Sequence, residues 1–161
     1  MAARSTDDYL DANPFTTEAD RPAPDAPRRR LPVPHRQVWA ALQDGLRTMP
    51  RIREGIVWSP EGWRWTWLYS CGDAGVAYLV PSEKGVLGVL VVREAHAAAL
   101  LDHKDVSKGM AALIEGTRPE GDARKCFVPV LDVDTAREFL ICVRAITEVL
   151  RAAGKACPEG Q

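Results

Sequence analysis

Four basic side chains are the first candidates for chemistry: Arg64, Lys84, Arg124 and Lys125. Arg64 sits in a run of alternating aromatics, Trp63, Trp65, Trp67 and Tyr69, and Arg124-Lys125 follow a Gly-rich loop. If Arg64 and Arg124 share a sheet face, their guanidinium groups form a fork for a carboxylate or phosphate; otherwise they are ordinary solvated strand charge. The aromatic row likewise has two readings. It is either core, with each ring N–H or O–H finding a partner at its edge, or a concave wall for a small molecule or peptide. The binding set on the second reading is Trp63, Arg64, Trp65, Trp67, Tyr69, Tyr78 and Arg124.

Other reactive groups form weaker patterns. His96 and His103, with Asp102 beside the second, are seven residues apart. On one helix that spacing is two turns, about 10 Å, too far for both to ligate one metal. Ser70, Cys71 and Asp73 share a turn with no nucleophile elbow around them. No phosphate-binding loop and no dinucleotide fingerprint occurs. No catalytic residue, metal ligand or prosthetic group is therefore assigned.

Composition bounds the partners. The 161 residues suit one domain with a tail. Hydrophobic residues make up 46%, enough for a core, and the formal net charge of −1 gives no global pull toward nucleic acid. No run is apolar and long enough to span a bilayer, so no membrane partner is expected, and the acidic start lacks the apolar stretch of a secretory signal. Cys71, Cys126, Cys142 and Cys157 form no close pair and have no histidine at zinc-finger spacing. They read as four reduced thiols of a cytoplasmic protein, with Cys126 and Cys142 as small buried hydrophobes.

The elements that must position these groups follow from periodicity. Residues 1–34 carry six prolines, at Pro14, Pro22, Pro24, Pro27, Pro32 and Pro34, and few apolar residues. They read as a disordered tail. Within it, Arg28-Arg29-Arg30 is a basic cluster, and Tyr9, Leu10 and Phe15 form a candidate docking motif for another chain. A helix from about His35 carries Val38, Trp39, Leu42, Leu46 and Met49 on one stripe and closes at Pro50. A short strand, 56–59, precedes a meander. Its first strand places all four aromatics on one face, its second runs from Ala74 to Val80, and its third, 86–92, is apolar on both faces. Gly88 marks a bulge or a close approach. Helices over 94–102 and 106–115, a strand over 123–130 with Pro129 marking an edge, and a final helix follow. Thr135 and Glu138 are read as the last helix's capping box, and Gly154 as its stop. The expected domain is 35–153, with a free end after it.

This order is α+β: helix, three or four strands, two helices, strand, helix, in a four- to five-stranded antiparallel meander. Its motifs resemble a bacterial family catalogued as domain of unknown function 3788. They are Glu61-Gly-Trp63, then Tyr69, then Tyr78-Leu79-Val80-Pro81 with the apolar strand after it, the helix at 94–101, and Pro119-Glu-Gly121 before a basic-starting strand and a last helix. The likeness covers about residues 58–150. It implies a compact α+β fold without established activity and brings no catalytic residues. Ser59-Pro60 stands where the family has a glycine, and the proline-rich tail is additional.

Three functions remain open. The first is a non-catalytic module that binds a small molecule or peptide on the aromatic face, with the basic residues as anchor. The second is an enzyme using Tyr69, Tyr78 or a histidine as acid–base. The third is an interaction factor acting through its tail.

Overall fold

A computed structural model describes residues 5–59 and 61–154. The chain is α+β, with one five-stranded antiparallel sheet in the order β1-β2-β3-β4-β5. The strands are β1 (Ile52–Ser59), β2 (Arg64–Cys71), β3 (Ala74–Val80), β4 (Val86–Arg93) and β5 (Ala123–Val130). The helices are α1 (Thr6–Asp11), α2 (Pro27–Arg30), α3 (Val33–Arg47), α4 (Glu94–Leu101), α5 (Lys108–Gly116) and α6 (Val133–Ala152). None is long and apolar enough to cross a membrane. The strands and apolar stripes read from the sequence form, with Trp63 falling outside the alternation of β2. The last strand of the meander is the most covered element, buried at every position from Val86 to Val92.

Helices α3, α4 and α6 cover one sheet face. Trp65, Trp67, Tyr69, Leu79, Leu90 and Val128 point into that core, together with Trp39, Leu42, Phe139 and Ile146 from the helices. Two glycines set the distances. A Cβ on Gly88 would lie 2.5 Å from Phe139 Cε2, and a Cβ on Gly45 would lie 2.5 Å from Leu140 Cδ1. Gly88 is thus a close approach: α6 rests on the backbone of β4 and on α3, where any side chain would push it away.

The structure departs from the sequence reading at the N-terminus. Residues 5–34 are no free tail. They run from one sheet face around the start of β2 to the other. Tyr9 packs with Trp63, Val80, Leu87 and Val89 on the face away from α3 and α6. Asn13 then meets β2 where β3 has already ended. Its Nδ2 donates to the carbonyls of Trp63 at 2.8 Å and Trp65 at 2.9 Å, and its Oδ1 accepts from Phe15 N. Phe15 tilts against Trp67, and Leu31 is fully buried in the main core, contributing about 1.5–3 kcal/mol. A low apolar count missed this segment because it is held largely through backbone carbonyls, which composition does not report.

Two smaller corrections have local causes. Trp63 does not share the face of Trp65, Trp67 and Tyr69. Gly62 and Arg64 both adopt positive φ, +84° and +66°, which breaks the pleat before β2 begins. Trp63 therefore packs edge-on against Tyr78 and Phe127 on the opposite face. The last helix starts a turn earlier than Thr135. Asp132 is its cap, accepting from Thr135 N at 2.7 Å, because aspartate outranks threonine as an N-cap.

Replacing Asn13 with Ala leaves two buried carbonyls without donors. That should destabilise by about 3 kcal/mol and lower the melting temperature by about 6–12 °C for a chain of this size. Removing residues 1–32 should lower it further. A thermal melt unchanged by either alteration would return the segment to the status of a free tail.

Candidate functional site

The aromatic row is core. Trp67 and Tyr69 are fully buried and Trp65 nearly so. Their polar edges are satisfied within the chain: Trp65 Nε1 donates to Thr17 O at 2.8 Å and Trp67 Nε1 to Pro24 O at 3.0 Å. Both acceptors belong to the N-terminal segment, so that segment covers the row which an open wall would expose. Trp67 also meets Trp39 edge-on at 5.1 Å.

Tyr69 ends in a polar network. Its hydroxyl donates to Glu54 Oε2 at 2.6 Å, and the same carboxylate receives Arg47 Nη2 at 2.8 Å and Gln43 Nε2 at 3.2 Å. Gln43 also donates to Pro24 O and accepts from Trp39 Nε1. Burial, and then the bond to Glu54, pushes the Tyr69 phenol far above its ordinary value. A phenol that holds its proton this firmly is unsuited to acid–base work at neutral pH. Tyr78 packs against Trp63 on the other face.

The basic fork does not form. Arg64 and Arg124 stand on β2 and β5, three strand spacings or about 14 Å apart. Arg64 Nη1 donates to the carbonyls of Asp11 and Asn13. Arg124 donates Nε and Nη2 to Glu94 at 2.6 and 3.3 Å and Nη1 to Ile114 O at 2.9 Å. Lys125 pairs with Glu61 and lies 5.4 Å from the centre of the Trp63 ring. These cations tie elements of the fold together. His103 sits beyond the end of α4, where it accepts from Asp105 N and bonds Glu148 on α6 at 2.7 Å. Among the described residues, no three His, Cys, Asp or Glu side chains cluster to hold a metal.

Another set of residues surrounds an open space at the sheet corner where β3 begins and β4 ends. A cavity of about 430 Å³ is lined by Asp73, Ala74, Arg93, Glu94, Ala95, His96, Asp122 and Leu150. Its inner end narrows between β4, α4 and α6 to an apolar cleft of about 10 Å³, walled by Val92, Leu100, Ile146 and Leu150. The local sequence explains each part. The all-apolar β4 runs into α4 without a loop, so Arg93, Glu94 and His96 arrive together at the rim. The loop before β5 crosses beside them, with Glu94 N donating to Asp122 O at 2.8 Å and Arg93 Nη1 reaching Asp122 Oδ2 at 3.5 Å. Arg124 holds Glu94 from behind, and that bond keeps the Glu94 carboxyl below its ordinary value. The rim thus carries charges of both signs, largely paired. His96, on the boundary between rim and cleft, makes no hydrogen bond to any described residue.

The sequence pattern set His96 against His103 as a metal pair too widely spaced to share an ion and left a histidine as one acid–base candidate, and it did not single out Arg93 or Asp122. The available signal was an apolar strand passing directly into a helix whose first turn is charged.

The cysteines also depart from expectation. Cys126 and Cys142 are buried free thiols. Burial raises both, Cys142 to about 12, so they stay protonated and unreactive. Cys71 is disulfide-bonded, which removes it from the four reduced thiols expected. Its distance in sequence from every other cysteine concealed this. The free end expected after Gly154 lies outside the described residues.

Compared with known proteins, the chain matches no family model, no curated protein and no solved structure.

Because the folded Glu94 is held below its ordinary value of 4.5, its stabilising contribution is present above that pH and is lost as pH falls through the folded value. Glu94→Gln should therefore melt lower than the parent at pH 7 and approach it in acid. A difference that stays constant from pH 7 to pH 3 would show that the charge on Glu94 contributes nothing.

Proposed function

We propose that the protein is a non-catalytic binding module for a small molecule with an apolar body and a polar end, taken up at the β3–β4 corner. The single observation that carries this reading is the cavity of about 430 Å³, with its apolar inner cleft and an imidazole that bonds no described residue. Its volume falls in the ordinary range for ligand sites, and such sites combine apolar walls with a few convergent polar groups. Ala74, Ala95 and Leu150 would take the apolar body. His96 would bond the polar end, within a collar formed by Arg93 with Asp122 and Glu94 with Arg124. Paired charges of both signs favour a neutral or zwitterionic head, because a strongly charged head would have to break an existing pair.

The ligand site moves from the aromatic face to this corner because Trp65, Trp67 and Tyr69 are already covered by the chain's own N-terminal segment. A peptide fits less well than a compact molecule, since the cleft closes within the domain.

The neutral fluorescent probe N-phenyl-1-naphthylamine tests the reading. The parent should enhance its emission saturably. Ala74→Phe, which fills the cavity from its β3 wall, should weaken binding by at least about tenfold with the melting temperature nearly unchanged. Equal binding by both proteins, or none by the parent, would reject the site.

A further inference from the structure

A second cavity lies where the end of α3 and the turn into β1 meet α6. Its volume is about 250 Å³, and three arginines line it, Arg51, Arg144 and Arg151, together with Thr48, Thr147 and Glu148. Helical spacing explains the α6 wall. Arg144, Thr147, Glu148 and Arg151 follow at three- and four-residue intervals and share one face, while Ile146 and Leu150 on another face line the corner cleft. The two helix arginines are two turns apart, about 10 Å, and both are exposed. Neither has an ion-pair partner among the described residues, whereas Arg47, Arg93 and Arg124 are all held by carboxylates. The other polar groups are engaged. Thr48 Oγ1 donates to Gly45 O at 2.8 Å, Thr147 Oγ1 to Arg144 O at 2.7 Å, and Glu148 bonds His103 Nε2 at 2.7 Å. The cavity therefore offers a ligand guanidinium N–H groups above all. Arg51 supplies the third from the turn Met49–Ile52, which is closed by Ile52 N donating to Met49 O at 3.4 Å. Its φ is +69°. Proline second and positive φ third is the pattern of a type II turn, where glycine or asparagine fits without strain. An arginine there carries a backbone cost that the turn does not require, and such costs collect where a side chain is used.

We propose that this cavity binds a small phosphomonoester, held by Arg144 and Arg151 from α6 and by Arg51 from the turn before β1. Three guanidinium groups against one carboxylate leave about two positive charges around the space, which matches a phosphoryl group of about −1.5 to −2 at pH 7. The planar fork of arginine pairs with two phosphate oxygens at once. The volume lies just below the roughly 300 Å³ at which sites for drug-sized ligands begin, so a compact anion fits. The chain as a whole carries a formal net charge of −1, so the attraction is local to this cavity rather than a general pull on polyanions. The site is separate from the β3–β4 corner and stands or falls without it.

Calorimetric titration of the full-length chain with phenyl phosphate at constant ionic strength tests the assignment. The parent should bind one equivalent saturably, with a Kd of about 1 mM or tighter. Inorganic phosphate should compete, because the phosphoryl group carries the recognition, and benzoate should not. Arg144→Gln and Arg151→Gln should each weaken binding by at least about tenfold. Their melting temperatures without ligand should stay close to the parent's, since both side chains are exposed. Arg151→Lys should remain weak, because an ammonium keeps the charge but loses the fork. Arg137→Gln is the control. Arg137 is exposed on the same helix, 3.5 Å from Asp134 and outside the cavity, so this variant should bind as the parent does. No saturable heat from the parent, competition by benzoate, or parent-like binding by Arg144→Gln or Arg151→Gln would overturn the proposal. So would recovery in Arg151→Lys, or an equal loss in Arg137→Gln, since either reduces the effect to unspecific charge.

Discussion

The contact on which the rest depends is the side-chain amide of Asn13 against the start of β2. A sheet whose neighbouring strands end at different points leaves backbone groups unpaired at the step, and buried carbonyls cannot be left without donors. Here β2 pairs with β1 from Arg64 onward but with β3 only from Trp67. Asn13, almost fully buried, supplies donors to the carbonyls of Trp63 and Trp65. From that anchor the chain runs on to place Thr17 O and Pro24 O at the indole N–H groups of Trp65 and Trp67. Two tryptophans on one face of one strand are tolerable in a small core because the N–H of each has an acceptor waiting. The segment thus does for the sheet what an additional strand would do, without being one.

This explains which parts of the molecule were legible in the sequence. Periodicity reports which side chains are buried, so the meander, the stripe of α3 and the apolar β4 could all be read from spacing. It does not report which backbone group accepts from a side chain 50 residues away. Asn13 and Thr17 look like ordinary loop residues, and the prolines around them argue for a segment without regular structure, which is largely what it is. The error lay in equating irregular with unpacked. Trp63 shows the same limit on a smaller scale. Alternation assigns it to the face of Trp65, but a backbone turn through positive φ at Gly62 and Arg64 resets the phase, and neither residue type demands that conformation.

The candidate site was less legible than the fold for a related reason. The residue types that drew attention, Trp, Tyr and Arg, are those that form both binding surfaces and structural ties. In this chain most are ties. Arg64 closes the N-terminal segment onto β2, Arg124 fixes Glu94 and the end of α5, and Glu54 gathers Tyr69, Gln43 and Arg47. A partnered guanidinium or phenol has little left to offer a ligand. His96 is distinguished by what it lacks, a partner among the described residues, and that property appears only once the neighbours are in place.

The position of the cavity follows from how α6 is seated. Gly88 and Gly45 admit Phe139 and Leu140 to contact distances that no larger residue would allow, so the helix is pinned to the middle of β4 and to α3. From Gly88 to Arg93 is five strand residues, about 17 Å. From Phe139 to Leu150 is eleven helical residues, also about 17 Å. Strand and helix therefore reach the same corner together. A straight helix pinned at one point of a twisted sheet diverges from it with distance, and the apolar cleft between Val92 and Ile146 widens into the open cavity at that corner. The close packing that gives the domain its core and the opening at its corner are thus two consequences of one helix seated on two glycines.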